Sequence, residues 1–178
     1  GNAPDDYNDP YLFFKKTYLT KGIENLLQRV STTLTEGIGS SVVQIQTPFG
    51  GGKTHSLVTI YHYLKNGEAV RDLLPKSLPV IAAGVSAISG NHWDVIDGMS
   101  SDGITRRTLW GDMAFQIAGK EGYEQFRSTD EERISPGKEK LRKFLIQQQP
   151  FVLLFDEILE YINRALDKEV KSELKAEG

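Results

Sequence analysis

Cysteine is absent from the 178 residues. That absence excludes disulfide scaffolds, cysteine-based zinc sites, thiol catalysis and iron–sulfur clusters together, and a reducing cytoplasm is the expected setting. No apolar run approaches the roughly 18 residues that a membrane span requires. The opening, Gly1 to Asp9, is polar and acidic where a secretory leader would be basic and then apolar. An excess of one charge is also missing: 21 Lys and Arg stand against 24 Asp and Glu. The chain therefore carries no global footprint for nucleic acid or an anionic membrane, and only a local basic groove stays open. Disorder is excluded from the other side, because 39% hydrophobic residues supply enough apolar surface for a core. The length suits one domain, and neither an internal repeat nor a low-complexity segment is present.

What is there reads as alternating helices and strands. Residues 1–8 are set aside as a disordered or tag-derived tail, and Tyr11, Phe13 and Phe14 form an aromatic cluster. Thr20 is an N-cap candidate for a helix whose Ile23, Leu26, Leu27, Val30 and Leu34 share one face, and Gly37-Ile38-Gly39 ends it. Three strands are predicted: Val42 to Gln46, Pro79 to Val85 and the unbroken apolar run Phe151 to Phe155. Between the first two, Leu57, Val58, Ile60, Tyr61 and Leu64 mark a helix. Trp110 to Ala118 is expected to be helical, residues 127–139 a charged surface loop opening a helix at Pro136, and residues 168–178 a charged tail.

The first strand runs into Thr47-Pro48-Phe49-Gly50-Gly51-Gly52-Lys53-Thr54-His55 and then into a helix. A phosphate loop is Gly, four residues, then Gly-Lys-Ser/Thr; here Thr47 stands where the first Gly is expected. The physics tolerates that change. A triphosphate is held by consecutive backbone N–H groups on a loop with little side-chain bulk, aided by the positive end of the following helix. Gly50, Gly51 and Gly52 supply the bare backbone, flanked by Phe49 and His55. Lys53 is the candidate contact to the β and γ phosphates, and the Thr54 hydroxyl a candidate ligand for Mg²⁺.

About a hundred residues further on, the third strand ends in Asp156-Glu157. Two carboxylates at one strand end suit two tasks: Asp156 to hold Mg²⁺ through water, Glu157 to polarise the attacking water as general base. A competing explanation, that acidic residues simply favour a helix N-terminus, weakens beside a glycine loop. Guanine specificity is unsupported, since Asp156 is followed by Glu, Ile and Leu, and Asn91-His92-Trp93-Asp94 only approximates a guanine motif. ATP hydrolysis is the leading expectation, with Glu157 and Lys53 as catalytic residues.

The glycine loop together with Phe155-Asp156-Glu157 resembles AAA+-type phosphate-loop ATPases, and more narrowly the bacterial and archaeal predicted ATPases grouped as domain of unknown function 499. Asp9-Pro10, Phe13-Phe14, Thr17-Tyr18-Leu19-Thr20, Tyr61-His62 and Thr108-Leu109-Trp110-Gly111 extend the likeness over most of the chain. In that group Thr is the usual residue at the first loop position. The resemblance implies a three-layer α/β core over residues 9–167 with a mainly parallel sheet, and a cytoplasmic ATPase using ATP and Mg²⁺. It also implies an association with DNA methylases and helicases in clusters suspected of phage defence, and a possible ring in the full-length protein. Such ATPases order their sheet 5-1-4-3-2, so the strand that would lie between the loop strand and the Asp-Glu strand is expected beyond residue 178. The chain thus reads as the N-terminal part of a core that hydrolyses ATP poorly on its own, unless the two strands pair directly or a neighbouring molecule fills the gap. Two rivals stay open: a nucleotide-dependent binding module with slow hydrolysis, and a small-molecule kinase, for which no acceptor motif is found.

The remaining singular residues are expected to be structural. His55 is assigned local hydrogen bonds ahead of phosphate contact, His62 packing, and His92 no metal. Trp93 and Trp110 are assigned to the core or an interface, and Arg106-Arg107 to a solvated loop. The Tyr11 to Phe14 cluster is a packing element or, by resemblance, a flank for adenine.

Overall fold

The computed structural model describes residues 5–46 and 52–176. The architecture is α/β, with a small parallel sheet among helices. The chain divides into two compact units, one formed by Gly1–Val85 with Gln149–Val152, the other by Ser86–Gln148 with Leu153–Gly178.

The first unit is largely helical. It holds α1 (Asp5–Asn8), α2 (Pro10–Lys16), α3 (Lys21–Glu36), α4 (Lys53–Asn66) and a 3₁₀ turn at Arg71–Leu73. The starts of α2 and α3 have visible causes. The Asp9 carboxylate accepts from the Leu12 N–H at 2.9 Å, with Pro10 in the first helical position, and Thr20 Oγ1 accepts from the Ile23 N–H. The α3 helix ends where Gly37 turns left-handed and its N–H closes onto the Thr33 carbonyl, as the sequence predicts. Phe13, Phe14, Leu27, Ile60, Tyr63 and Leu64 are buried, with α2 and α3 both packed on α4. Asp5–Asn8, assigned to a tail in the sequence, are helix α1.

The second unit is built around β1 (Gly84–Ser89) and β4 (Phe151–Asp156), whose first residues lie in the first unit. Gly84 N–H donates to Pro150 O and Gly90 N–H to Asp156 O at one constant sequence offset, so the strands run parallel. A hairpin of β2 (Met99–Ser101) and β3 (Ile104–Arg106) follows, then α5 (Leu109–Glu124), α6 (Arg127–Glu131), α7 (Lys138–Gln147) and α8 (Ile158–Ala176). Ile88, Met113, Ala114, Phe126 and Phe144 form its core, with Trp110, Leu153 and Ile158 packed against them. Trp93 is also buried, its ring edge-on to Tyr161. Trp93 is a core residue, and Trp110 is partly buried and packs against the core, in keeping with the core-or-interface expectation. The predicted helix Trp110 to Ala118 matches the first stretch of α5, which kinks at Ala118 and Gly119 before resuming.

Four expectations need correction. No strand forms at Val42 to Gln46; at its start the Ser40 hydroxyl donates to the Val42 carbonyl and accepts from the Val42 N–H, so a local side-chain closure takes the backbone groups of Val42. The second strand is not Pro79 to Val85 but Gly84–Ser89, because the Pro79 carbonyl is taken by the Tyr63 hydroxyl and pairing with the β4 side begins only at Gly84. Residues 127–139 are not all surface loop: Arg127–Glu131 are helical and Asp130 is completely buried. Arg106 is not solvated. It is 5% exposed, bonds Asp112 at 2.9 Å and the Ile104 carbonyl at 3.0 Å, and stacks over Phe115.

Asp112 also accepts from the Gln116 amide, whose two ends bond the N–H and the carbonyl of Ala87 in β1. Burial holds the Asp112 carboxyl above its ordinary value, against the opposing pull of Gln116 and Arg106. A raised folded-state pKa means that the native state keeps the proton longer than the unfolded chain. This carboxyl's contribution to stability therefore falls as pH rises through the interval just above 3.8. Asp112→Asn is expected to remove that slope, seen as a flatter melting-temperature profile as pH rises above 3.8; an unchanged profile would refute it. Among the described residues no helix is long and apolar enough to cross a membrane.

Candidate functional site

The glycine loop enters α4 through Gly52, which sits in the left-handed region with φ 76° and brings no side chain to the helix N-terminus. A residue with a Cβ would be strained there. Lys53 and Thr54 form the first turn and are exposed, and the Ser56 N–H and hydroxyl both close onto the Gly52 carbonyl. Thr47, Pro48, Phe49, Gly50 and Gly51 lie outside the described residues.

His55 is half-buried and turned toward the amino-terminal helices. Its Nε2 lies 3.3 Å from Thr17 Oγ1 and its Nδ1 lies 3.4 Å from the Tyr7 hydroxyl, both at the long end of hydrogen bonding. Thr17 already donates its one hydroxyl proton to the Phe13 carbonyl, so it accepts from His55. The imidazole is thus the Nε2–H tautomer, with Nδ1 accepting from Tyr7. Burial lowers its pKa below 6.5, which favours this neutral form. Two turns along α4, His62 Nε2 donates to the Tyr7 carbonyl and Nδ1 accepts from Asn66. The Phe13 ring lies 4.8 Å from His55 and 5.3 Å from His62. The hydrogen bonds of His55 are not the local ones expected: its ring partners, Tyr7 and Thr17, lie far back in the sequence on the amino-terminal helices. The packing expected of His62 is present. Of the aromatic cluster, Phe13 and Phe14 pack inside while Tyr11 stays exposed.

Asp156 is the last residue of β4, and its carbonyl is held by Gly90. Glu157 follows in the left-handed region with φ 49°, unusual for a residue with a side chain. The chain turns sharply there, and α8 begins at Ile158. Strand, left-handed turn and helix leave Glu157 exposed at the strand tip, where the Asn91 amide donates to Glu157 Oε2. Gly90 fits behind it, since a Cβ on residue 90 would overlap the Glu157 carbonyl, and Arg164 of α8 donates to the Gly90 carbonyl. Asn91, the polar side chain that engages Glu157 among the described residues, is not assigned a role in the sequence; its place just after the second apolar strand is the signal available. His92 is occupied by Ser89, at 3.0 Å.

Lys53, Thr54 and His55 belong to the first compact unit, Asp156 and Glu157 to the second. Among the described residues no group of three or more His, Cys, Asp or Glu is arranged to hold a metal ion. No curated protein and no solved structure matches the chain. The family model for the DUF499 N-terminal domain matches residues 1–176. That match covers nearly every residue and coincides with the resemblance drawn from the glycine loop and the Asp-Glu strand, so the chain belongs to the DUF499 family through its N-terminal domain.

Proposed function

We propose that this chain is the nucleotide-binding part of a phosphate-loop ATPase of the AAA+ type, which binds ATP with Mg²⁺ and hydrolyses it. The observation that carries most of this reading is Gly52. It opens α4 without a side chain, directly before the exposed Lys53 and Thr54, which is what a helix N-terminus needs in order to receive phosphate. In this reading Lys53 neutralises charge on the β and γ phosphates, while Phe49, Gly50, Gly51, Gly52 and His55 frame the loop. Thr54 and Asp156 offer hydroxyl and carboxylate oxygens, a donor set suited to Mg²⁺, which is held by one or two protein ligands and otherwise by phosphate and water. When bound, the cation supplies charge neutralisation to the phosphates.

Glu157 accepts the proton of the attacking water as the new P–O bond forms, and ADP leaves with the bridging oxygen. The fit between a strand-tip carboxylate and this role supports hydrolysis over transfer to a metabolite. One observation favours a second reading, a nucleotide-dependent binding module with slow turnover: the Asn91 amide already occupies a Glu157 oxygen and competes with water for it. Ring assembly, DNA-modifying partners and a cytoplasmic setting belong to the same proposal and rest on family resemblance alone.

Calorimetry with Mg²⁺-ATP tests the phosphate loop. Micromolar binding is expected for the unmodified chain, with a loss of at least about 100-fold in Lys53→Ala and weaker binding of GTP. The expected loss reflects removal of a charge-assisted contact to phosphate, together with its positioning. Equal ATP affinity in both proteins would remove Lys53 from the site.

A further inference from the structure

The first-unit contacts around His55 are more than the packing of a helix. Tyr7 reaches α4 at two points, its hydroxyl to His55 and its carbonyl to His62, seven residues apart on one helical face. Phe13 covers both imidazoles and Thr17 closes the far side of His55. The α1 and α2 helices pack on each other, with the Tyr7 ring edge-on to Phe13 at 5.5 Å; the Lys16–Asp6 ion pair between them is exposed and adds little. This helix pair grips the residue immediately after Lys53-Thr54, within about 3 Å along the helix axis of Lys53 at 1.5 Å per residue.

We propose that α1 and α2 form a positioning strap for the phosphate loop, acting through His55. The strap fixes the first turn of α4, and with it the Lys53 side chain and the Thr54 hydroxyl, in the orientation that receives a triphosphate. His55 and Thr17 are positioning residues: the His55 ring bonds Thr17 and Tyr7, and the Thr17 hydroxyl donates to the Phe13 carbonyl, so these groups are spent within the first unit. Coupling of this kind is reciprocal. A strap that improves nucleotide binding is itself tightened when nucleotide binds, so residues 7–17 report the occupancy of the loop. The proposal rests on the reading of Lys53-Thr54 as a phosphate loop.

The test measures Mg²⁺-ATP affinity by calorimetry for the unmodified chain, Lys53→Ala, Thr17→Val, His55→Ala and His55→Gln. Hydrogen exchange of the backbone over residues 7–17 is followed with and without ATP. Thr17→Val keeps the shape and removes the acceptor, and His55→Gln restores one donor and one acceptor. Expected are a loss of at least about fivefold in Thr17→Val and His55→Ala, the lower end of ordinary coupling, and recovery of most of that loss in His55→Gln. In the unmodified chain ATP should slow exchange at the Phe13 and Thr17 amides, which close onto Asp9 and Phe14, and Lys53→Ala should abolish the slowing. Unchanged affinity in Thr17→Val or His55→Ala, or equal weakness of His55→Gln and His55→Ala, overturns the strap while leaving the loop intact. Unchanged exchange in an ATP-binding chain does the same without relying on any substitution. Absence of ATP binding in the unmodified chain removes the phosphate-loop reading and the strap together.

Discussion

Glu157→Gln is expected to leave Mg²⁺-ATP binding within about twofold and to lower single-turnover hydrolysis by at least about 100-fold, the ordinary contribution of a general base. The amide keeps the size of the side chain and one acceptor but cannot take a proton. Glu157 stands at φ 49°, and a side chain in the left-handed region costs on the order of 1–3 kcal/mol. Glycine has no such penalty. Glu157→Gly should therefore abolish hydrolysis and yet raise stability by about 1 kcal/mol in chemical denaturation. Opposite signs for activity and stability are the mark of a residue kept for chemistry. If both variants hydrolyse ATP at the unmodified rate, Glu157 is a turn residue and nothing more. A chain that binds ATP, shows slow turnover and is indifferent to Glu157→Gln would instead support the binding-module reading.

Asp130→Ala should destabilise the second unit by about 4 kcal/mol or more. Asp130 is completely buried and accepts from the Arg107 and Thr108 N–H groups and from the Thr108 and Tyr123 hydroxyls. Removing the carboxylate strands four donors, each worth about 1–3 kcal/mol when buried and unsatisfied. The damage spreads, because Thr108 is also the N-cap of α5 and accepts from the Gly111 N–H. Tyr123 reports the same centre: burial first, then the Asp130 charge and hydrogen bond, push its phenol up to about 12. In a variant that still folds, the Tyr123 absorbance titration should move down from about 12 as the Asp130 charge and hydrogen bond are lost, while burial still holds it above the ordinary value. A loss below about 1 kcal/mol in urea denaturation would show that other groups satisfy the four donors. Asn in place of Asp130 should also destabilise, since its amide nitrogen would face a donor.

The parts of the fold that could be read in advance share one property: their causes are local. Thr20 caps α3, Gly37 ends it, and Phe151 to Phe155 is apolar on both faces, so neighbours in sequence suffice. The same holds for Gly52 before Lys53 and for the acidic pair that closes β4. Asp102-Gly103 is equally local, a two-residue turn with both residues at positive φ that closes the β2–β3 hairpin. Other features depend on distant partners. Asp130 looked like one charge in a polar stretch because its donors lie more than twenty residues upstream at Arg107 and Thr108. Arg106 looked solvated because its aspartate is on the next helix. Val42 to Gln46 has strand composition, yet composition does not supply a ladder, and Ser40 answers the backbone groups of Val42 first. Asn91 meets Glu157 only because two strands far apart in sequence end side by side.

The Gln116 amide has a meaning for how the sheet can be extended. By bonding the outward N–H and carbonyl of Ala87 it serves as a one-residue substitute for a neighbouring strand, and the Ser89 carbonyl beside it is consumed by the turn through His92 and Trp93. The carboxyl-terminal half of the outer rim of β1 is thus closed to a strand from another molecule, pairing with which is a common route to aggregation. Among the described residues β4 pairs with β1 alone. Any further strand that joins this sheet is directed to the opposite flank of β4, so growth runs one way, and its first new neighbour would lie beside the strand that carries Asp156 and Glu157.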